Sequence, residues 1–147
     1  MQLFHCKYLI KLIHPTGNDI YMKRFILAIG SNYKQSENIE NAKNYLHGII
    51  DGICFTKFEY TAPIGIDGDW FLNGLAYGET DLSYDNLLYH TKETEKYCGN
   101  SRDLRKKNII MMDIDILLYD TKKYHEDDWN REYIKNEIKR LNTLLKY

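Results

Sequence analysis

The stretch Met112-Asp113-Ile114-Asp115-Ile116-Leu117-Leu118-Tyr119 constrains this chain more than any other. Its apolar density reads as a buried strand within a strong strand pattern over residues 109–119. Residues two apart in a strand share a face, so Asp113 and Asp115 project together, while Met112, Ile114, Ile116 and Leu118 take the other side. The sheet that holds this strand must bury one face and offer two carboxylates on the other. Close carboxylates in an apolar strand repel each other and resist desolvation. Divalent cations about 3.5–4 Å apart would remove both costs, and a paired metal site is one reading. A sheet face open to water, with both aspartates solvated, is the other.

The run Arg24-Phe25-Ile26-Leu27-Ala28-Ile29 is a second short, almost wholly apolar strand. It ends in Gly30-Ser31-Asn32, small residues that allow a turn to approach a ligand closely. Ser36 suits a helix N-cap, followed by an apolar stripe of Ile39, Ala42, Leu46, Ile49 and Ile50 and a stop at Gly52. Residues 53–60 alternate as a strand, 61–69 form a loop marked by Pro63, Gly65 and Gly68, and 71–78 form a further strand. Ser83 caps a second helix with Tyr84, Leu87, Leu88, Thr91 and Cys98 on its apolar side. Asp127 or Asp128 opens a third, whose stripe is Ile134, Ile138, Leu141 and Leu145. This order is α+β: a ferredoxin-like βαββαβ antiparallel sheet with helices on one face, plus a C-terminal helix. Residues 1–21 carry the turn cluster Pro15-Thr16-Gly17-Asn18 and are read as an N-terminal appendage or mis-called start, with 22–147 a single domain.

The 147 residues suffice to bury roughly two thirds of the unfolded surface without disulfides or a structural metal. Lys plus Arg is 20 and Asp plus Glu is 21, a net charge of -1 that argues against a generalised nucleic-acid or membrane coat. No stretch approaches the roughly 18 apolar residues of a membrane span. Neither nucleic acid nor membrane is therefore expected as a partner. Cys6, Cys54 and Cys98 are scattered, without a Cys-x-x-Cys pair, and read as reduced thiols of a cytoplasmic protein. The histidines show no zinc-ligand spacing.

Residues 99–108 carry Arg102, Arg105, Lys106 and Lys107 immediately before the aspartates, which suggests either a polyphosphate-gathering segment or a solvated loop. No Gly-x-x-x-x-Gly-Lys-Ser/Thr run occurs, which excludes the P-loop route to nucleotide binding. Glu95 falls on the apolar side of the second helix, so either a polar ligand lies nearby or the stripe edge is partly exposed. Phe71 and Asn73 share a strand face, a ring beside an amide that suits a flat heterocycle; taken singly, Phe71 is equally a core residue.

Together, Ala28-Ile29-Gly30-Ser31-Asn32, Tyr60-Thr61-Ala62-Pro63-Ile64-Gly65, Phe71-Leu72-Asn73 and the aspartate strand resemble the 6-hydroxymethyl-7,8-dihydropterin pyrophosphokinase family, over about residues 23–133. The resemblance implies ATP as co-substrate, two Mg2+ ions and pyrophosphate transfer to a pterin alcohol. It makes Asp113 and Asp115 metal ligands and, with Arg102, the catalytic set. Phe71 and Tyr133 correspond to rings that sandwich the pterin, Asn73 to the reader of its edge, and Thr61, Ala62 and Ile64 to the pocket lining. Glu95, Arg102, Ile116, His125 and Arg131 match ATP-binding positions. A monomer whose partners are the pterin and ATP is expected.

The chain departs from the family where Arg-Trp-Gly-Pro-Arg usually precedes the aspartates: Lys106-Lys107-Asn108-Ile109-Ile110 stands there, and Asn100 replaces a common basic residue. The connection to His125 is also short, and the chain beyond Tyr133 reads as a plain helix. The functional expectation is Mg-ATP-dependent pyrophosphate transfer in folate biosynthesis, giving AMP. The alternative is a catalytically impaired member that binds a pterin or nucleotide without efficient turnover. A ferredoxin-like RNA-binding module finds little support, since no Lys/Arg-Gly-Phe/Tyr aromatic motif occurs.

Overall fold

A computed structural model describes residues 21–145, so the expectations for residues 1–20 and for Cys6 lie outside the described residues. Strand β1 (Lys23–Ser31) leads into α1 (Gln35–His47), then β2 (Cys54–Phe55), β3 (Glu59–Thr61) and β4 (Phe71–Thr80). Helices α2 (Tyr84–Tyr97) and α3 (Arg102–Lys106) follow, then β5 (Asp113–Tyr119), β6 (Lys122–Lys123), a 3-10 turn (Glu126–Asn130) and α4 (Glu132–Leu145). The sheet runs β2-β4-β1-β5-β6, with β3 also on β4, and its pairings are antiparallel. Counting β2 and β3 as one broken strand, this is the ferredoxin-like order, and the α+β expectation holds.

Strand alternation divides the core. Phe25, Leu27 and Ile29 of β1, with Ile114 and Ile116 of β5, pack beneath Ile39, Ala42 and Leu46 of α1 and Leu87 of α2. Ile26, Leu75 and Leu117 take the opposite face, where Ile134 and Leu141 of α4 cover them. Burying an aliphatic side chain of this size contributes about 1.5–3 kcal/mol, so these contacts suffice to seat α4. A register shift between Ile26 and Leu27 marks a bulge, and both Leu117 and Leu118 consequently pack on the α4 side. Strict alternation had assigned Leu118 to the other face.

Several boundaries differ from the sequence reading, each for a local reason. Helix α1 starts after Lys34, held in the left-handed region at φ 43°, and Ser36 lies inside the first turn. The Asn38 amide donates to Tyr33 O at 2.7 Å and fixes that entry. The single strand expected over 53–60 is broken at Thr56, whose hydroxyl accepts from Leu75 N at 2.9 Å in place of a strand carbonyl. Phe58 then lies over Gly74, where a Cβ would approach its ring to 2.7 Å. The basic segment contains α3, capped by Ser101, whose Oγ accepts from Leu104 N. The helix expected from Asp127 or Asp128 opens at Glu132 instead, after the 3-10 turn. Cys98 is free and buried.

The strand pattern over 109–112 yields no strand. Asn32, 3% exposed at the end of β1, takes those backbone groups instead: its Nδ2 donates to Asn108 O at 2.8 Å and its Oδ1 accepts from Ile110 N at 2.7 Å. Its own N–H donates to Ile110 O at 3.0 Å. Asn32→Ala is expected to leave buried backbone groups unpaired and cost about 1–3 kcal/mol in denaturant unfolding. A change below about 0.5 kcal/mol would show that water replaces those bonds at no cost.

Candidate functional site

The uncovered end of the α4-side sheet face is where the chemistry-bearing residues meet. Gly30 pairs with Asn73 on one side and Asp113 on the other, and Ala28 pairs with Asp115. Residues 28 and 30 are small, so the neighbouring strands display Phe71, Asn73, Asp113 and Asp115 across a low floor. A Cβ at position 30 would overlap Asn73 Oδ1. Asn73 is buried, and its Nδ2 donates to Thr61 Oγ1 at 2.6 Å, which fixes the amide's orientation. Thr61, Ala62 and Ile64 form one wall of a cavity of about 600 Å3, and Arg131, Tyr133 and the start of α4 form another. Burial pushes the Tyr133 phenol up to about 12, so it presents a neutral ring and O–H.

Both aspartates face this cavity. Arg105 Nη2 lies 3.1 Å from Asp113 Oδ1, and His125 Nε2 lies 3.8 Å from Asp115 Oδ1. Asp128, itself paired with Arg131 at 3.2 Å, completes a group with Asp115 and His125 whose ligand atoms lie within 4.8 Å of one another. Asp115 is held above the ordinary carboxylate range, first by burial and then by the Asp113 charge, with His125 opposing. Hard oxygen donors whose mutual repulsion and burial favour an added cation fit Mg2+.

The structure separates the remaining candidates. Glu95 and Ile116 lie behind β5: Ile116 packs in the α1–α2 core, and Glu95 Oε1 accepts from Ile114 N at 2.9 Å. Strand β6 pairs only with Leu118 and Tyr119, so beside Ile114 the outer edge of β5 is satisfied by this glutamate. Glu95 is buried, which rules out the partly exposed stripe edge, and the polar group beside it is the Ile114 N–H. Burial raises its carboxyl, while the Ile114 N–H and Lys92 lower it. Arg102 is exposed at the first position of α3, away from the cavity lining. Sequence reasoning missed Asp128 and did not separate Arg105 from its basic neighbours. The only signal for Asp128 was its i, i+3 spacing from Arg131.

Because the folded-state pKa of Asp115 is raised, its ionisation costs stability, and that cost is fully present above the folded pKa. Asp115→Asn is therefore expected to raise the thermal midpoint of the metal-free protein at pH 7. The gain should shrink as pH falls toward about 3.9, the unfolded value. A lower midpoint at pH 7 would mean that the His125 pair outweighs burial and repulsion.

No individual curated protein matches the chain. A family model, 7,8-dihydro-6-hydroxymethylpterin-pyrophosphokinase (HPPK), matches residues 26–143. The match covers β1 from Ile26, every later strand and most of α4, and with them the cavity just described. The chain belongs to the 7,8-dihydro-6-hydroxymethylpterin-pyrophosphokinase family, the pyrophosphokinases of folate biosynthesis.

Proposed function

We propose that the chain transfers pyrophosphate from Mg-ATP to 6-hydroxymethyl-7,8-dihydropterin, releasing AMP. The observation that carries this reading is that the carboxylate pair and the ring-and-amide shelf share one cavity. Phe71 and Tyr133 would bracket the pterin ring, Asn73 would read its edge through the donor and acceptor atoms of its amide, and Thr61, Ala62 and Ile64 would close the side. Asp113 and Asp115 would hold two Mg2+ ions, which when bound spread charge over the bridging phosphate oxygens. His125 and Arg131, beside Asp115 and Asp128, would contact the nucleotide, Glu95 and Ile116 would support β5 from behind, and Arg102, away from the cavity, is given no contact.

The pterin alcohol oxygen attacks the β-phosphorus in line and loses its proton to water. The bond from the β-phosphorus to the α,β-bridging oxygen breaks, and AMP leaves with the electron pair. Positioning and electrostatics supply the acceleration, and the reading needs no dedicated general base. A single cytoplasmic copy with only these small-molecule partners is sufficient for this chemistry, and residues 1–21 are proposed to be dispensable for it.

One observation favours a second reading, a pterin- or nucleotide-binding protein with little turnover. The segment before the aspartates lacks the family's Arg-Trp-Gly-Pro-Arg and is tied to β1 through Asn32. Measuring AMP formation from ATP with and without the pterin alcohol separates the two. Pterin-dependent AMP is expected; nucleotide binding without AMP would favour the second reading. Phe71→Ala should weaken pterin binding by about 1–3 kcal/mol and leave Mg-nucleotide binding nearly unchanged, as titration calorimetry would show. Equal losses for both ligands would make Phe71 a structural residue.

A further inference from the structure

We infer that Arg105 is a phosphate-binding arginine of this site, held against Asp113 until a metal-bound polyphosphate displaces it; the inference rests on the Mg-ATP reading above. Of the four cations at 102–107, Arg105 alone lines the cavity, while Arg102, Lys106 and Lys107 are exposed away from it. Ser101 caps α3 at one end, and Asn32 ties Asn108 and Ile110 beyond its other end. A fixed short helix therefore delivers this guanidinium to the metal ligands. Arg102, the other arginine of residues 99–108, is exposed and does not line the cavity.

The surroundings of Arg105 suit a group that changes partner. Its bond to Asp113 uses one nitrogen and one oxygen at 3.1 Å, and both side chains are about two-fifths exposed, at 39% and 41%. Such a pair is weak and is outcompeted by a divalent cation on the carboxylate and a phosphate on the guanidinium. Asn100 holds the other side: with its oxygen turned inward, it accepts from Arg105 Nε at 2.9 Å and Nη2 at 2.8 Å. A basic residue at position 100 would repel the guanidinium there, whereas an amide oxygen orients it. The two departures from the family pattern, Asn100 and the lost arginines, thus fit a single relocated cation. When the metal neutralises Asp113, the planar fork stays anchored by Asn100 and presents its remaining N–H groups to phosphate oxygens.

The test compares the parent with Arg105→Gln and Arg105→Lys, using Mg2+ alone and Mg2+ with a non-hydrolysable ATP analogue, by calorimetry. Arg105→Gln should bind Mg2+ alone at least as tightly as the parent, because a competing cation is gone. The same variant should bind the Mg-nucleotide about tenfold or more weakly, and Arg105→Lys should fall between, since lysine keeps the charge and loses the fork. Opposite directions for the two ligands are a signature that a merely structural residue does not produce. Unchanged nucleotide binding, or parallel losses for Mg2+ and nucleotide, would overturn the inference. If the parent itself binds no Mg-nucleotide, the Mg-ATP reading fails and the role of Arg105 fails with it.

Discussion

Gly30 sits at the centre of the sheet with Asn73 across from it on β4 and Asp113 across from it on β5. The lack of a side chain there lets the Asn73 carboxamide lie over the strand, in space that any Cβ would take. Ala28, two residues earlier on the same face, plays the same part between Leu75 and Asp115. The rest of the site depends on this low strip. It brings a hydrogen-bonding shelf and a carboxylate pair to opposite sides of one cavity while the reverse face of the same strand carries core residues. Helix α4 covers only part of the strip's face, with its N-terminal residues forming a wall.

The site is made of groups that would be unfavourable in a sealed interior, and the fold sets two arginines and a histidine against them. Asp113 faces Arg105, Asp115 faces His125, and Asp128 faces Arg131. These pairs are partly exposed, so each contributes about 1 kcal/mol or less and none locks the site. Behind the strand the bonding is of another kind. Glu95, buried, accepts the Ile114 N–H between the two aspartates, and Asn32, buried, closes the segment that leads into them. Weak bonds thus face the cavity, and well-shielded bonds hold the strand from behind.

What was legible in the sequence is what strand periodicity and residue size alone determine. Asp113 and Asp115 on one face, Phe71 beside Asn73 and the burial of Glu95 all follow from spacing, whereas the turn read at Gly30-Ser31 is strand, with β1 running through Ser31. What was not legible depends on partners distant in the chain. The hydroxyl of Thr56 breaks a strand because Leu75 lies opposite, and Asn32 claims residues 108–110 across the fold. The bulge that turns both Leu117 and Leu118 toward α4 needs the register of β1. The separation of Arg105 from Arg102, Lys106 and Lys107 likewise needs α3, whose five residues give too short a pattern to read in advance.

The central claim is that metal ligands and pterin shelf serve a single cavity, and nuclear relaxation measures this directly. Mn2+, with oxygen-ligand preferences close to those of Mg2+, would be bound together with a non-hydrolysable ATP analogue, and the proton relaxation of bound pterin alcohol recorded. The account requires strong paramagnetic broadening of the pterin protons, because both ligands lie within roughly 10 Å in a cavity of this size. Tight binding of both ligands without broadening would place them at separate sites and contradict the account.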